Sequence, residues 1–329
     1  MANFPSLELN TINSLTLPLI SKKIADNITG RIPVFYFLNK IGHKEYENGG
    51  IEYRLPVFYS LATGQAYTGN TTLTNSEKDP VITAIYQRKQ ISLDITLSGT
   101  KLLQNSGSDP TAVVNYIAAQ IEMAEESMKN TLAGTTYGVM SDQSDSDLGI
   151  TGIKTFCADA TTTGTVGTLS RSTYSWWRQN SDSVTTGFAT DGLMSMRTLL
   201  LACSRGDESP TVAILTRTGY GLLLKALTGT LTYNTPTPNT KFGEVGFEHV
   251  NFFGTPVLFD DGMTSARGFF LNLKYMKLLV HRDRDMSIRD FITPTNEDSI
   301  MGRIYWAGNL VCNNLARQGV LQGNLDTDA

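Results

Sequence analysis

Three cysteines in 329 residues are too few and too scattered to organise a fold. Cys157, Cys203 and Cys312 form no CxxC pair and are odd in number, so a disulfide framework and a thiolate metal cage are both excluded. Buried, reduced thiols are the expectation. Histidine is as scarce: His43, His249 and His281 are the only ones, and none sits in HExxH or beside another ligand at usable spacing. GxxxxGK[ST] and GxSxG are missing, which removes the P-loop and the hydrolase nucleophile elbow. No stretch approaches the ~18 apolar residues of a membrane span. The opening Met1-Ala2-Asn3-Phe4-Pro5 lacks the basic and apolar regions of a secretory signal, so a protein made and kept in a cytosol is expected. There is no basic excess either: formal net charge is -4 and pI about 5.5, where a protein that reads DNA shows a basic face. No catalytic residue, cofactor site or metal site is expected.

What is present is hydrophobic residue in quantity, 40% of the chain, enough for a buried core and a length suited to about two domains. The first fifty or so residues are a poor candidate for a compact unit. Leu15, Leu17, Leu19 and Ile20 are interrupted by Pro18, and the apolar run from Ile32 to Leu38 is too short to bury itself. An arm lying along other structure accounts for both segments; an ordinary first strand on its own core is the alternative.

Ile51, Tyr53, Leu55 and Val57 then alternate as one face of a strand, and Ile91, Leu93, Ile95 and Leu97 alternate as its expected return. Between them residues 60–80 are rich in Thr, Gly, Asn and Ser. So long a connection without a core is unusual inside a compact domain. It is either disordered or a projecting hairpin, and Val81, Ile82, Ile85 and Tyr86 beyond the tip favour the hairpin because they need cover.

Ser108-Asp109-Pro110 announces a helix with a capping oxygen and a proline at the first helical position. Val113, Val114, Ile117, Ile121, Ala124, Met128 and Leu132 follow at helical spacing, and Gly134 is placed for a left-handed stop. Residues 110–133 make a rod of about 36 Å, roughly twice the mean helix length. Asp142, Asp145 and Asp147 look like a calcium loop only briefly, since the glycine and distal glutamate of an EF-hand are misplaced. Trp176 and Trp177 are expected to anchor packing. A helix over 191–204 capped by Asp191, a buried strand at 211–215 and a helix over 217–227 form the centre of a small α/β unit. From residue 242 strands dominate, with a turn at Asp260-Asp261-Gly262 and long strands at 300–311 and 320–321. His281-Arg282-Asp283-Arg284-Asp285 alternates in sign. On a strand this puts Arg282 and Arg284 on one face, as an intersubunit charge network or a solvated strand end.

A polar-tipped hairpin, a lone long helix, a small α/β unit and long strands, in that order, resemble the major capsid proteins of tailed bacteriophages, of the Hong Kong ninety-seven type. The likeness covers nearly the whole chain. It is carried by Asn105-Ser106-Gly107, the helix end at residues 122–134, Gly149-Ile150-Thr151-Gly152-Ile153, Ser175-Trp176-Trp177-Arg178, Phe253-Gly254-Thr255-Pro256-Val257, and Trp306-Ala307-Gly308-Asn309-Leu310-Val311-Cys312. The resemblance implies an α+β fold. Its parts would be an N-terminal arm at 1–48, an extended hairpin loop at 49–99 and a peripheral domain at 100–190 built on the spine helix 110–133. An axial domain at 191–265, with the loop 228–240 meeting symmetry mates, and a return to the peripheral domain at 266–329 would complete it.

It further implies self-assembly as pentamers and hexamers into an icosahedral shell around double-stranded DNA, in the virion, after assembly in a host bacterial cytoplasm. A separate scaffolding protein, a portal protein and decoration proteins would be partners; no membrane is involved. Assembly contacts are expected at Tyr67, Thr68, Lys78, Arg88, Glu122, Glu125, Arg282 and Arg284. Lys78 has no recognisable environment for the family's Lys–Asn cross-link and reads as a solvated lysine. An encapsulin-like nanocompartment shares the fold and is the alternative; a hydrolase of unknown type is a remote one.

Overall fold

Pro33 opens a helix where an arm or a first strand was expected. The computed structural model describes residues 33–40, 43–61, 64–72, 79–105, 110–227, 250–263 and 266–327. The first element is α1 (Pro33–Lys40). Proline suits a first helical turn, and Val34, Phe37 and Leu38 fall at i, i+3 and i+4 and are buried. Periodicity over so few residues could not distinguish this from a strand; tertiary burial decides it. The capping pair Ser108-Asp109 and the loop 228–240 lie outside the described residues.

After α1 come β1 (Lys44–Glu47), β2 (Glu52–Phe58), β3 (Val81–Gln87) and β4 (Lys89–Ser98). The expected pairing of the second and fourth is corrected. β2 pairs antiparallel with β3 as a two-stranded ribbon, while β4 pairs with a strand more than two hundred residues on. The alternation of β4 is real, with Ile95 and Leu97 buried and Gln90, Ser92, Asp94 and Thr96 exposed. Alternation names a face; it does not name a partner.

α2 (Gly99–Asn105) and α3 (Pro110–Ala133) follow, and α3 has the expected bounds. Ala124, Met128 and Leu132 turn its buried side to the core. Its stop differs from expectation, because Gly134 does not take a left-handed conformation. The chain folds back so that the Val139 N–H donates to the Leu132 carbonyl at 2.8 Å. Gly138 permits this, since a Cβ there would lie 2.3 Å from the same oxygen.

The middle of the chain supplies α4 (Ile153–Phe156), β5 (Thr165–Val166), β6 (Leu169–Ser170), β7 (Asn180–Val184), α5 (Leu193–Cys203), β8 (Val212–Leu215) and α6 (Arg217–Leu227). Asp191 does not cap α5. It lies in a π-helical turn, Phe188–Gly192, and its carboxylate reaches backward to accept from the Thr185, Thr186 and Gly187 N–H groups. These bonds, with that of the Thr185 hydroxyl, hold its pKa at about 2.

The remainder is β9 (Val250–Phe252), β10 (Thr255–Phe259), β11 (Gly268–Leu271), β12 (Met276–His281), β13 (Ser287–Ile292), β14 (Ser299–Cys312) and β15 (Gly319–Gly323). Phe253 and Gly254, both at positive φ, make the two-residue turn between β9 and β10. The expected turn at Asp260-Asp261-Gly262 is present.

Two main sheets result. β14 is the long member of the first, pairing with β4, β12 and β13, and β12 also pairs with β1. The second runs β7-β15-β11-β8-β10-β9. It separates two cores. Val212, Ile214, Phe269 and Val320 on one face join the core of α3 and β14, while Ala213, Leu215, Phe270 and Leu321 on the other join the core of α5 and α6. A strand buried on both faces reads as a continuous apolar run, which is why Val212-Ala213-Ile214-Leu215 shows no alternation. The expected boundaries at 190/191 and 265/266 cut across this sheet, because β7, β11 and β15 lie outside 191–265 and pair with strands inside it or beside them.

Candidate assembly surfaces

The hairpin's base is fixed to its own subunit. Tyr53, Val57, Ala84 and Tyr86 bury the inner face of β2 and β3. The Tyr86 hydroxyl donates to the Cys312 carbonyl at 2.7 Å, and the Ile85 N–H donates to the Gly167 carbonyl at 2.9 Å. Tyr59 stacks on Trp176 with ring centroids 5.4 Å apart, and Trp176 meets Trp177 edge-on. Trp177 is buried and donates from Nε1 to the Val166 carbonyl, so the tryptophan pair anchors packing as expected. A two-stranded ribbon is marginal alone, and these contacts are what hold it.

Past its closing bond, Tyr59 N–H to the Pro80 carbonyl at 3.0 Å, the ribbon leaves the body. Residues 64–72 are all exposed. Tyr67 is 68% exposed, and Thr68 turns the chain through its carbonyl, which accepts from the Thr71 N–H and hydroxyl. Phe58 and Leu61, which sequence reasoning passed over, are 77% and 87% exposed at the foot of this excursion. Their signal was available: large apolar residues directly flanking a polar stretch. Lys78 lies outside the described residues.

The other expected contacts fall into two groups. Glu122 is exposed and Glu125 half-buried on α3, neither with an ion pair among the described residues, whereas Glu126 pairs with Lys129. Arg88 and Arg284 come together from distant segments. Arg88 donates to the Gly49 carbonyl and lies over the Tyr53 ring. Arg284 donates to the Gln90 side chain at 2.6 Å and lies over the Tyr305 ring. With His281 and Ala307 they line a concavity of about 310 Å³.

The strand expected through 281–285 is corrected: β12 ends at His281, and Arg282–Arg284 is a 3-10 turn held by His281 Nδ1, which accepts from the Asp283 N–H. Arg282 and Arg284 therefore do not share a strand face. Arg282 is exposed, and Asp285 bonds Lys44 and Tyr46.

The aspartate loop is structural. Asp145 accepts from the Gln87 N–H at 2.9 Å and from Asn309 Nδ2 at 3.2 Å, and Lys89 donates to the Asp145 and Asp147 carbonyls. Burial raises the Asp145 pKa, partly offset by these bonds, and burial lowers that of Lys89. Among the described residues no three His, Cys, Asp or Glu side chains converge on a metal position. All three cysteines are buried and unpaired, and burial pushes Cys203 and Cys312 up to about 12.

Asp260 gives a pH-dependent prediction. It is fully buried, accepts from the Gly262 N–H at 2.7 Å through Oδ1, and its Oδ2 has no hydrogen-bond partner of good geometry among the described residues. Burial raises its pKa to about 6, opposed by bonds from Gly262 and Val34. The folded state thus holds the proton more tightly than the unfolded chain. The contribution of this group to stability is fully present below about pH 4 and is lost as pH rises through 6. Asp260→Asn removes the buried charge and will stabilise the unassembled subunit by about 2 kcal/mol at pH 7.5, with no gain at pH 4. Urea unfolding across that range reads the difference; a gain independent of pH would contradict the assignment.

No protein-family model and no curated protein matches the sequence. Solved structures do match over nearly the full length. A chain of the cyanophage A-1(L) capsid asymmetric unit is 15% identical with a TM-score of 0.66, covering 96% of this chain and 99% of its own. One from the capsid of Myoviridae phage XM1 is 11% identical with a TM-score of 0.59, covering 98% and 99%. One from an encapsulin complex of Synechococcus elongatus is 10% identical with a TM-score of 0.50, covering 99% and 98%. The chain has the α+β fold of the Hong Kong ninety-seven type phage capsid proteins.

Proposed function

We propose that this protein is the major capsid protein of a tailed bacteriophage. It assembles as pentamers and hexamers into an icosahedral shell around double-stranded DNA and works by contact with copies of itself. One observation carries the reading: a hairpin pinned to its own subunit at the base extends residues 64–72 into solvent beside exposed Phe58 and Leu61. Exposed apolar groups at the foot of a projecting polar loop cost a lone monomer and are covered when identical subunits pack. The likeness to two phage capsids supports the same reading. The absence of a basic excess suits a wall that encloses DNA without gripping its sequence.

Scaffolding, portal and decoration proteins would be separate partners, and the site of action would be the virion after assembly in a host cytoplasm. The encapsulin likeness supports a second reading, a nanocompartment shell, at a lower TM-score than either phage capsid. Negative-stain microscopy of the purified chain, with nuclease-protected nucleic acid measured in particles from an infected host, tests both. Closed shells holding double-stranded DNA are expected. Shells filled with protein cargo would favour the nanocompartment, and a monomer at high concentration would end both readings.

A further inference from the structure

The concavity lined by Arg88, Gln90, His281, Arg284 and Ala307 offers donors and no carboxylate. Arg88 has a buried Nε with no acceptor among the described residues. Gln90 accepts from Arg284 through Oε1, which leaves its amide N–H groups to donate. His281 accepts from the Asp283 N–H through Nδ1, which leaves Nε2 as its ring donor. Glu47 is the register partner of His281 across β1 and β12, and Asp283 follows it in the turn, but neither lines the cavity. Asp285 is occupied by Lys44 and Tyr46.

The same chain carries the complementary feature on α3. Glu122, Glu125 and Glu126 stand at i, i+3 and i+4, so three carboxylates share one face and repel one another. Among the described residues only Glu126 has a cation, Lys129. Two clusters of opposite sign, not paired with each other among the described residues, gain when different copies bring them together. Such a contact is head-to-tail, the type that generates rings when the rotation between copies closes.

We propose that this concavity receives the carboxylates Glu122 and Glu125 from the long helix of a second copy. The inference rests on the shell-forming reading and names one of its contacts. Arg88, Gln90, His281 and Arg284 supply the hydrogen bonds, and Ala307 forms an apolar wall. Charged contacts of this kind select the partner and its register more than they add raw affinity.

Assembly of the purified full-length chain, followed by sedimentation and electron microscopy, tests it. Gln90→Glu puts an intrachain carboxylate beside Arg284, fills the site from within and leaves the fold intact by thermal unfolding. It should raise the concentration needed for assembly about tenfold. Arg284→Glu should do the same, as should Glu122→Arg with Glu125→Arg. Combining Arg284→Glu with the two α3 reversals should restore assembly to within about twofold of wild type.

Wild-type particles that form while every variant assembles normally would overturn this contact and leave the shell reading standing. So would a combination no better than its parents, or cavity variants that assemble normally but lose retained DNA, since phosphate would then be the occupant. A wild-type chain that forms no particles overturns the shell reading itself.

Discussion

Deleting residues 62–79 and joining the ends through a short glycine linker will give a subunit that folds normally and forms no closed shells. The structural half of this expectation follows from where the hairpin is held. Tyr59, stacked on Trp176, and Pro80, bonded to the Tyr59 N–H, both lie outside the deletion and stand side by side. The buried face of β2 and β3, from Tyr53 and Val57 to Ala84 and Tyr86, is untouched. Unfolding free energy should therefore stay within about 1 kcal/mol of wild type.

The assembly half follows from the exposure of residues 64–72, which contribute nothing to their own core. If they lie on neighbours, losing even about 3 kcal/mol per subunit lowers each association step more than ~100-fold. A shell repeats that loss at every position. Electron microscopy and sedimentation of the deletion variant provide the readout. Regular closed particles of normal size would remove the loop from the assembly mechanism.

Asn309→Leu should destabilise the unassembled subunit by about 3–5 kcal/mol, among the largest effects of any single substitution. Asn309 is fully buried in the C-terminal part of β14. Its Nδ2 donates to the Gln87 carbonyl at 2.8 Å, Thr151 Oγ1 at 3.1 Å and Asp145 Oδ1 at 3.2 Å, and its Oδ1 accepts from the Thr151 N–H at 2.8 Å. One side chain thus ties the hairpin exit, the loop after α3 and the central strand. Leucine matches its size but leaves the Thr151 N–H and the Gln87 carbonyl without these partners in a low-dielectric site. Urea denaturation measures the loss. A change below about 1 kcal/mol would mean water or backbone adjustment replaces the bonds.

The Asn309 case shows where sequence reading stops. Trp306-Ala307-Gly308-Asn309-Leu310 reads as a long strand, and so it is, but nothing local marks its asparagine as a hub. Its partners are more than 150 residues away. Asp145 likewise reads as one of three loop aspartates, and only folding singles it out as the half-buried acceptor facing Asn309 and the Gln87 N–H. The expected contacts Arg88 and Arg284 were nameable individually as charged residues. That they share a concavity depends on pairing β4 with β14 and β14 with β12, which no periodicity specifies.

Local chemistry alone determined α3 from Pro110 to Ala133, α6 from Arg217 to Leu227, the buried strand β8, the turn at Phe253-Gly254 and the exposed polar excursion after β2. Each rests on interactions within a few residues: i to i+4 bonds, a proline's fixed φ, a glycine's freedom, the spacing of apolar groups. Tertiary structure alone decided that β2 returns through β3 rather than β4, that residues 33–40 are a helix, that Asp191 bonds backward and that the chain turns at Arg282. In each of these the local energies of the alternatives differ little, and burial against distant segments or a hydrogen bond from outside the local pattern chooses between them.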